Sequence, residues 1–235
     1  MTSATRAPTS GPYGRGDLSA SLVMIAPVLL AYEVGVLFAG RVDGVDLVSR
    51  VIYVLAGGRT GYLLVHALIA AAFLLWIRRG QRWAALSLDQ VGPVTLEAAV
   101  YALTLGATIT LALRGLAGVL HAPSLLALGA TRDSAISALG AGVHEELVFR
   151  LGIMSALVAL LGRLPRNAAV ALALVASSLV FALAHHVGTY GEPFTVHAFA
   201  FRTLAGLAFG AIFWFRSLAH AVYAHVLYDL IVAWT

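Results

Sequence analysis

Seven apolar runs, each close to the length that a helix needs to cross a hydrocarbon core, constrain this chain more than any other feature. A crossing takes about 20 predominantly apolar residues, and the runs fall at 18–39, 60–77, 94–113, 134–161, 167–186, 196–215 and 217–234. In lipid each backbone N–H and C=O must be satisfied within the segment, so such runs fold as helices. The expected fold class is therefore all-α, a polytopic transmembrane helix bundle of about seven crossings. Composition agrees: 60% of residues are hydrophobic and 11% are charged, against about 25% charged in a soluble domain. The crossings use most of the chain, which leaves room for one compact membrane domain.

The polar remainder excludes several function classes. There is no cysteine, so disulfides, thiolate metal sites and a cysteine nucleophile are ruled out. The net charge of +4 comes from arginine, with no lysine. These arginines are scattered and not interleaved with aromatics, so nucleic acid is not an expected partner. With the N-terminus inside, eight arginines outside the crossings fall on the cytoplasmic side and five on the other, so the positive-inside rule places the N-terminus in the cytoplasm. The expected location is an integral protein of the bacterial cytoplasmic (inner) membrane, suggested by an Ala/Leu/Arg-rich chain.

The connecting segments are short. Residues 1–17 read as a disordered N-terminal tail. The first apolar run exceeds the 7–15 residues of a signal-peptide core, so it is read as a retained helix, kinked at Pro27 and carrying Glu33 as a paired or neutralised carboxyl. Residues 40–59 suit a short interfacial helix around an apolar patch at 45–56. His66 reads as a packed, hydrogen-bonded histidine. Gly92-Pro93 reads as a breaker ahead of the third crossing. Glu97 lies near a membrane interface and receives no role. Residues 114–133, with His121 and Pro123, read as a loop or interfacial segment. Gly206 and Gly210, four apart, suit close approach of two helix backbones.

Chemistry enters with Gly142-Val143-His144-Glu145-Glu146-Leu147-Val148-Phe149-Arg150, where two carboxylates and an arginine interrupt an apolar run. Each ionised group near a bilayer centre costs roughly 2.5–3.5 kcal/mol even on lenient scales. Pairing, water or chemistry must offset that. Further intramembrane polar groups are His185, Arg202, His225 and Asp229. Glu146 and Arg150 share a face in the favourable acid-before-base order and can neutralise each other. Glu145, about 100° round the helix, must look to other helices. His225 and Asp229 also share a face, so Asp229 can orient the imidazole. A carboxylate and two histidines around one hydrated cavity suffice to activate water. Glu145 would take its proton as it attacks a carbonyl carbon, and the histidines would position the water or stabilise the oxyanion.

His185, His225 and Glu145 could instead hold zinc, leaving a position for water. A His-Glu-x-x-His helix site is absent, because Val148 stands where its second histidine would be. His144 is then a packing or cavity-lining residue. Ser177 and Ser178 lack a Gly-x-Ser-x-Gly setting, so a serine protease is poorly supported. No cofactor is required, and a divalent metal such as zinc is the one candidate.

Three of these clusters resemble motifs of a known family. Glu145-Glu146-Leu-Val-Phe-Arg150 is similar to Glu-Glu-x-x-x-Arg, Phe181-Ala-Leu-Ala-His185 to Phe-x-x-x-His, and His225-Val-Leu-Tyr-Asp229 to His-x-x-x-Asn/Asp. These belong to the CPBP family of CAAX proteases and bacteriocin-processing or immunity proteins, also called Abi. The similarity spans about 134–234 and implies that the last four crossings form a catalytic core at 134–235, with 18–133 as N-terminal membrane helices and interfacial segments.

The resemblance implies an intramembrane endopeptidase in which Glu145 and His185 activate water, while His225 and the residue at 229 stabilise the oxyanion. Glu146, Arg150, Phe181 and Arg202 would support them. Prenyl-protein members typically have Asn where this chain has Asp229. A carboxylate donates a hydrogen bond only when protonated, so the expectation at 229 is an orienting role. The expected substrate is a membrane-embedded or lipid-attached protein or peptide arriving through the bilayer, since no soluble capture domain is present. The alternatives are a non-catalytic peptide-binding or immunity protein of the same fold, and a small proton-relaying transporter, which would be expected to carry an internal repeat not found here.

Overall fold

The structure, a computed structural model, describes residues 18–38, 47–80, 88–116, 132–187 and 191–234. Among them it is all-helical, with no strand. In chain order the elements are α1 (Leu18–Phe38), α2 (Leu47–Leu55), α3 (Arg59–Arg79), α4 (Leu88–Leu116) and α5 (Arg132–Glu145). A π-helical segment (Glu146–Met154) continues α5 directly, followed by α6 (Ser155–Leu160), α7 (Arg166–Ala184), α8 (Val196–Phe215) and α9 (Leu218–Trp234).

Five of these, α1, α3, α4, α7 and α8, are long and apolar enough to cross a membrane, and α9 is a shorter apolar helix. The chain is accordingly an integral membrane protein. Its outward surface fits lipid: large apolar side chains such as Leu68 on α3 and Leu96 on α4 are 70% and 71% exposed. The segment expected as the fourth crossing is helical throughout, but α5, the π segment and α6 share it, and it is not among the five helices long and apolar enough to span. The expected interfacial helix corresponds to α2. The N-terminal tail, and the loop containing His121 and Pro123, lie outside the described residues.

Gly92-Pro93 does not break the chain as the sequence suggests, because both residues lie inside α4. Pro93 falls in the second turn. As the sixth residue of α4 it lies just past the four N–H groups that have no intrahelical partner, so it removes one bond of the first turns, and the helix continues through it. Helix starts are capped where the sequence offers a hydroxyl: Thr195 Oγ1 accepts from Ala198 N at 3.0 Å before α8, and Ser217 Oγ accepts from His220 N at 3.3 Å before α9.

The core is built by α9. It packs extensively against α4 and α5, and also meets α1 and α8, while α7 lies along α8. Met24, Val143, Met154, Phe213 and Val222 share the central cluster, and Ala98, Ile109, Phe209 and Ala224 form a second. Glycine sets the close approaches. A Cβ on Gly142 would stand 2.3 Å from Val226 Cγ2 and 2.9 Å from Val226 N, and one on Gly206 would stand 3.0 Å from Ser178 Cβ. A Cβ on Gly210 would meet Leu174 Cδ1 at 2.4 Å. The Gly206/Gly210 pair therefore seats α8 on α7, as its spacing predicts. These contacts bring the end of α5, the π segment, the end of α7 and the middle of α9 to one place.

Candidate active site

Glu145 ends α5 and Glu146 opens the π segment. Both are buried, at 5% and 0% exposure, within a helix whose neighbours are apolar. Their consecutive positions would point them about 100° apart on an α-helix. Both nevertheless reach the same imidazole. His225 Nδ1 lies 2.8 Å from Glu146 Oε1, and His225 Nε2 lies 3.8 Å from Glu145 Oε2. The other oxygen of Glu145, Oε1, is 3.8 Å from His185 Nε2. One carboxylate thus stands between two histidines carried by different elements.

Each histidine is held from its far side. His185 follows the last residue of α7, and its Nδ1 donates to Phe181 O at 2.8 Å, which turns Nε2 towards Glu145. Phe181 also lies edge-on to the His185 ring at 4.7 Å between centroids. His225 stacks on Phe209 at 4.4 Å with 15° between the planes. Its Nδ1–H donates to Glu146, and Asp229 Oδ2 approaches Nε2 at 3.5 Å. The closer carboxylate on His225 is therefore Glu146. Asp229 stands on the Nε2 side of the ring, the side that also faces Glu145.

Arg150 offsets the negative charge from beneath. Its Nε is 3.1 Å from Glu146 Oε2, with the N–H directed off that line, so the contact is an ion pair and not a hydrogen bond. Nη2 donates weakly to Gly206 O at 3.4 Å, and the guanidinium carbon lies 4.5 Å above the Phe181 ring. Glu146 consequently bridges Arg150 and His225. The sequence had assigned it only the arginine.

Arg202 stands within electrostatic range of Glu145, His185 and Asp229, while the other polar residues of the region lie outside the site. Arg202 pairs with Glu192 in the turn before α8, and the backbone N–H of Glu192 in turn donates to His185 O at 2.8 Å. Ser177 and Ser178 both donate to Leu174 O and are spent on the helix backbone. His144 packs against Tyr32 and His66, as a packing residue should. His66 accepts its predicted role as a hydrogen-bonded core histidine, 2.6 Å from Glu33, which supplies the carboxyl's partner.

Three features escaped the sequence reading. Phe209 stacks on His225, and one phenylalanine among ten carries no mark of that. Glu192 ties the turn to Arg202. Glu97, given no role, bonds Tyr101 and Arg216 and lies 3.4 Å from His220, which ties α4 to the α8–α9 corner. Opposite charges 119 positions apart offer no spacing rule to find them.

For zinc, the donors would be His185, His225 and Glu145. Among the described residues, no group of three or more such side chains is arranged to hold a metal ion, so these donors do not form a metal site as placed.

The family model described as Type II CAAX prenyl endopeptidase Rce1-like matches residues 128–231, which takes in α5 and nearly all of α9 and with them every residue of the Glu145 site. No match was found among curated proteins, and none among solved structures. Over residues 128–231, somewhat less than half of its length, the chain is similar to the CPBP family of CAAX proteases.

Proposed function

We propose that the chain is an intramembrane endopeptidase in which Glu145 activates water. The observation that carries this reading is the placing of both Glu145 oxygens 3.8 Å from a histidine Nε2, His185 on one side and His225 on the other. Such a gap is too long for a direct hydrogen bond, yet one water about 2.8 Å from each atom can bridge it. A water bridging Glu145 Oε1 and His185 Nε2 would be oriented by two acceptors.

The residues divide the work as follows. Glu145 accepts a proton from that water as its oxygen attacks the carbonyl carbon of the scissile peptide bond. The C=O electrons move onto oxygen, and a His225 protonated at both nitrogens donates Nε2–H to that oxyanion while its Nδ1–H stays on Glu146. Glu145 then passes the proton to the leaving nitrogen as the C–N bond breaks, so carboxylate and site return to their starting state. Glu146 and Arg150 orient His225 and balance charge, and Phe181 fixes His185. Asp229, 3.5 Å from His225 Nε2, holds the imidazolium in place until substrate oxygen takes that direction.

The substrate is a prenylated or otherwise membrane-attached protein segment, in keeping with the family and with a site enclosed by helices whose outer faces are apolar. The test is reconstitution into liposomes with fluorogenic prenylated CAAX peptides and single-span transmembrane peptides. Cleavage of at least one class is expected, and its loss in Glu145→Gln at an unchanged unfolding temperature. Cleavage of neither, or undiminished cleavage by Glu145→Gln, overturns the proposal. A peptide bound but not cut would point to the non-catalytic binding protein.

A further inference from the structure

A second buried polar cluster lies immediately behind Glu145 and is contributed mainly by helices outside the matched segment. Glu33 on α1 and His66 on α3 are bonded at 2.6 Å through His66 Nδ1, and Tyr32 and Tyr62 share a hydrogen bond between their hydroxyls. The His66 ring lies 4.1 Å from Tyr62 and 5.5 Å from His144, and Tyr32 meets His144 edge-on at 5.1 Å. His144 immediately precedes Glu145. Four of the five residues, Tyr32, Tyr62, His66 and His144, are no more than 7% exposed.

Simple packing does not account for this composition. His66 Nε2 is buried, with no hydrogen bond to it among the described residues, and an unmet buried polar atom is costly where Leu or Phe would fill the volume at no such cost. The seating is also close. Tyr32 lies over Gly140, where a Cβ would stand 2.4 Å from its ring, so α1 is keyed into α5 one turn before the catalytic position. The Glu33–His66 bond fixes α3 to α1, and the aromatic rings transmit that fixed position to His144.

We infer that Glu33, His66, Tyr32 and Tyr62 form a positioning network that holds the end of α5, and through His144 sets where the Glu145 carboxylate stands between His185 and His225. The inference rests on the reading of Glu145 given above. It makes the N-terminal helices part of the catalytic apparatus in addition to anchoring it. A displacement of a reacting group by about 1 Å can reduce rate by up to about 100-fold, so a network of this kind acts on kcat more than on substrate binding.

The test uses the full-length protein in liposomes with whichever prenylated CAAX or transmembrane peptide the wild type cleaves. His66→Phe is expected to lower kcat by about 10-fold or more, with KM within about twofold. Glu33→Gln, which still accepts from His66 Nδ1, should keep kcat within about threefold, while Glu33→Leu should fall with His66→Phe. Tyr32→Phe removes one hydroxyl at nearly constant volume and should lower kcat at an unchanged unfolding temperature, which keeps the test decisive if His66→Phe fails to fold. Wild-type kcat in Tyr32→Phe or His66→Phe, or a loss seen only in KM, overturns the inference. Activity retained by Glu145→Gln would instead overturn the catalytic reading, so the two failures are distinguishable.

Discussion

Glu146 Oε1 accepts the Nδ1–H of His225 at 2.8 Å, which ties the first residue of the π segment to the middle of α9. The same carboxylate faces Arg150 across 3.1 Å. Glu146 therefore sits at a junction of charge balance and imidazole orientation, and adjacent glutamates divide the two ring nitrogens of one histidine between them.

Replacing Glu146 separates those two jobs. Glu146→Ala leaves the fully buried Arg150 with no carboxylate at its side, and breaking one half of a buried pair costs about 3–5 kcal/mol. Glu146→Gln keeps an acceptor for His225 Nδ1 but loses the charge. The expected outcome is a poorly folded alanine variant and a folded glutamine variant of reduced kcat, read by thermal unfolding in detergent and by peptide cleavage.

Asp229 should be dispensable for folding and secondary for rate. Its Oδ2 is 3.5 Å from His225 Nε2, while the 2.8 Å bond from Glu146 already fixes the ring. Asp229→Asn is expected to keep kcat within about 10-fold, and His225→Ala to lose about 100-fold or more, the scale of removing one oxyanion donor. Equal losses in the two variants would show that Asp229 carries more than orientation.

Gly142→Ala should cost more than Gly210→Ala, although the added Cβ makes a clash of similar length at either site. At Gly142 the obstructing atoms include the backbone N and Cα of Val226, at 2.9 and 3.2 Å, whereas at Gly210 the near atom is the tip of Leu174. A side-chain tip can rotate away, and a helix backbone cannot. The expected destabilisation at Gly142 is about 1–3 kcal/mol, measured as a shift in unfolding midpoint, with Gly210→Ala well below it.

Chelation separates the two ways of activating water. With Glu145 acting directly, exhaustive treatment with a chelator such as 1,10-phenanthroline leaves the initial rate unchanged. Loss of activity that zinc restores would replace direct proton transfer by a metal-held water.

Much of the helical layout can be read from hydropathy alone, because lipid forces each long apolar run into a helix regardless of its neighbours. Val196–Phe215 matches the expected sixth crossing at both ends. Local spacing likewise identified the Glu146–Arg150 pair and the Gly206/Gly210 contact, both of which act within a turn or so of helix. Pro93 misled because Gly92-Pro93 reads as a breaker, although Ser87-Leu88-Asp89-Gln90 has the capping-box pattern of a helix start and α4 begins at Leu88 and runs through the proline.

The sequence by itself determined that this chain is a bundle of membrane helices with charge confined to a few intramembrane clusters, since burial in lipid is decided residue by residue. Only the tertiary structure decided which clusters meet. It placed Glu145 between His185 and His225, gave Glu146 a second partner, stacked Phe209 on His225 and set the Glu33–His66 pair against His144 near the end of α5. These are relations between helices, fixed by how side chains and glycine notches interlock across their faces. No periodicity within one helix encodes its rotation against another.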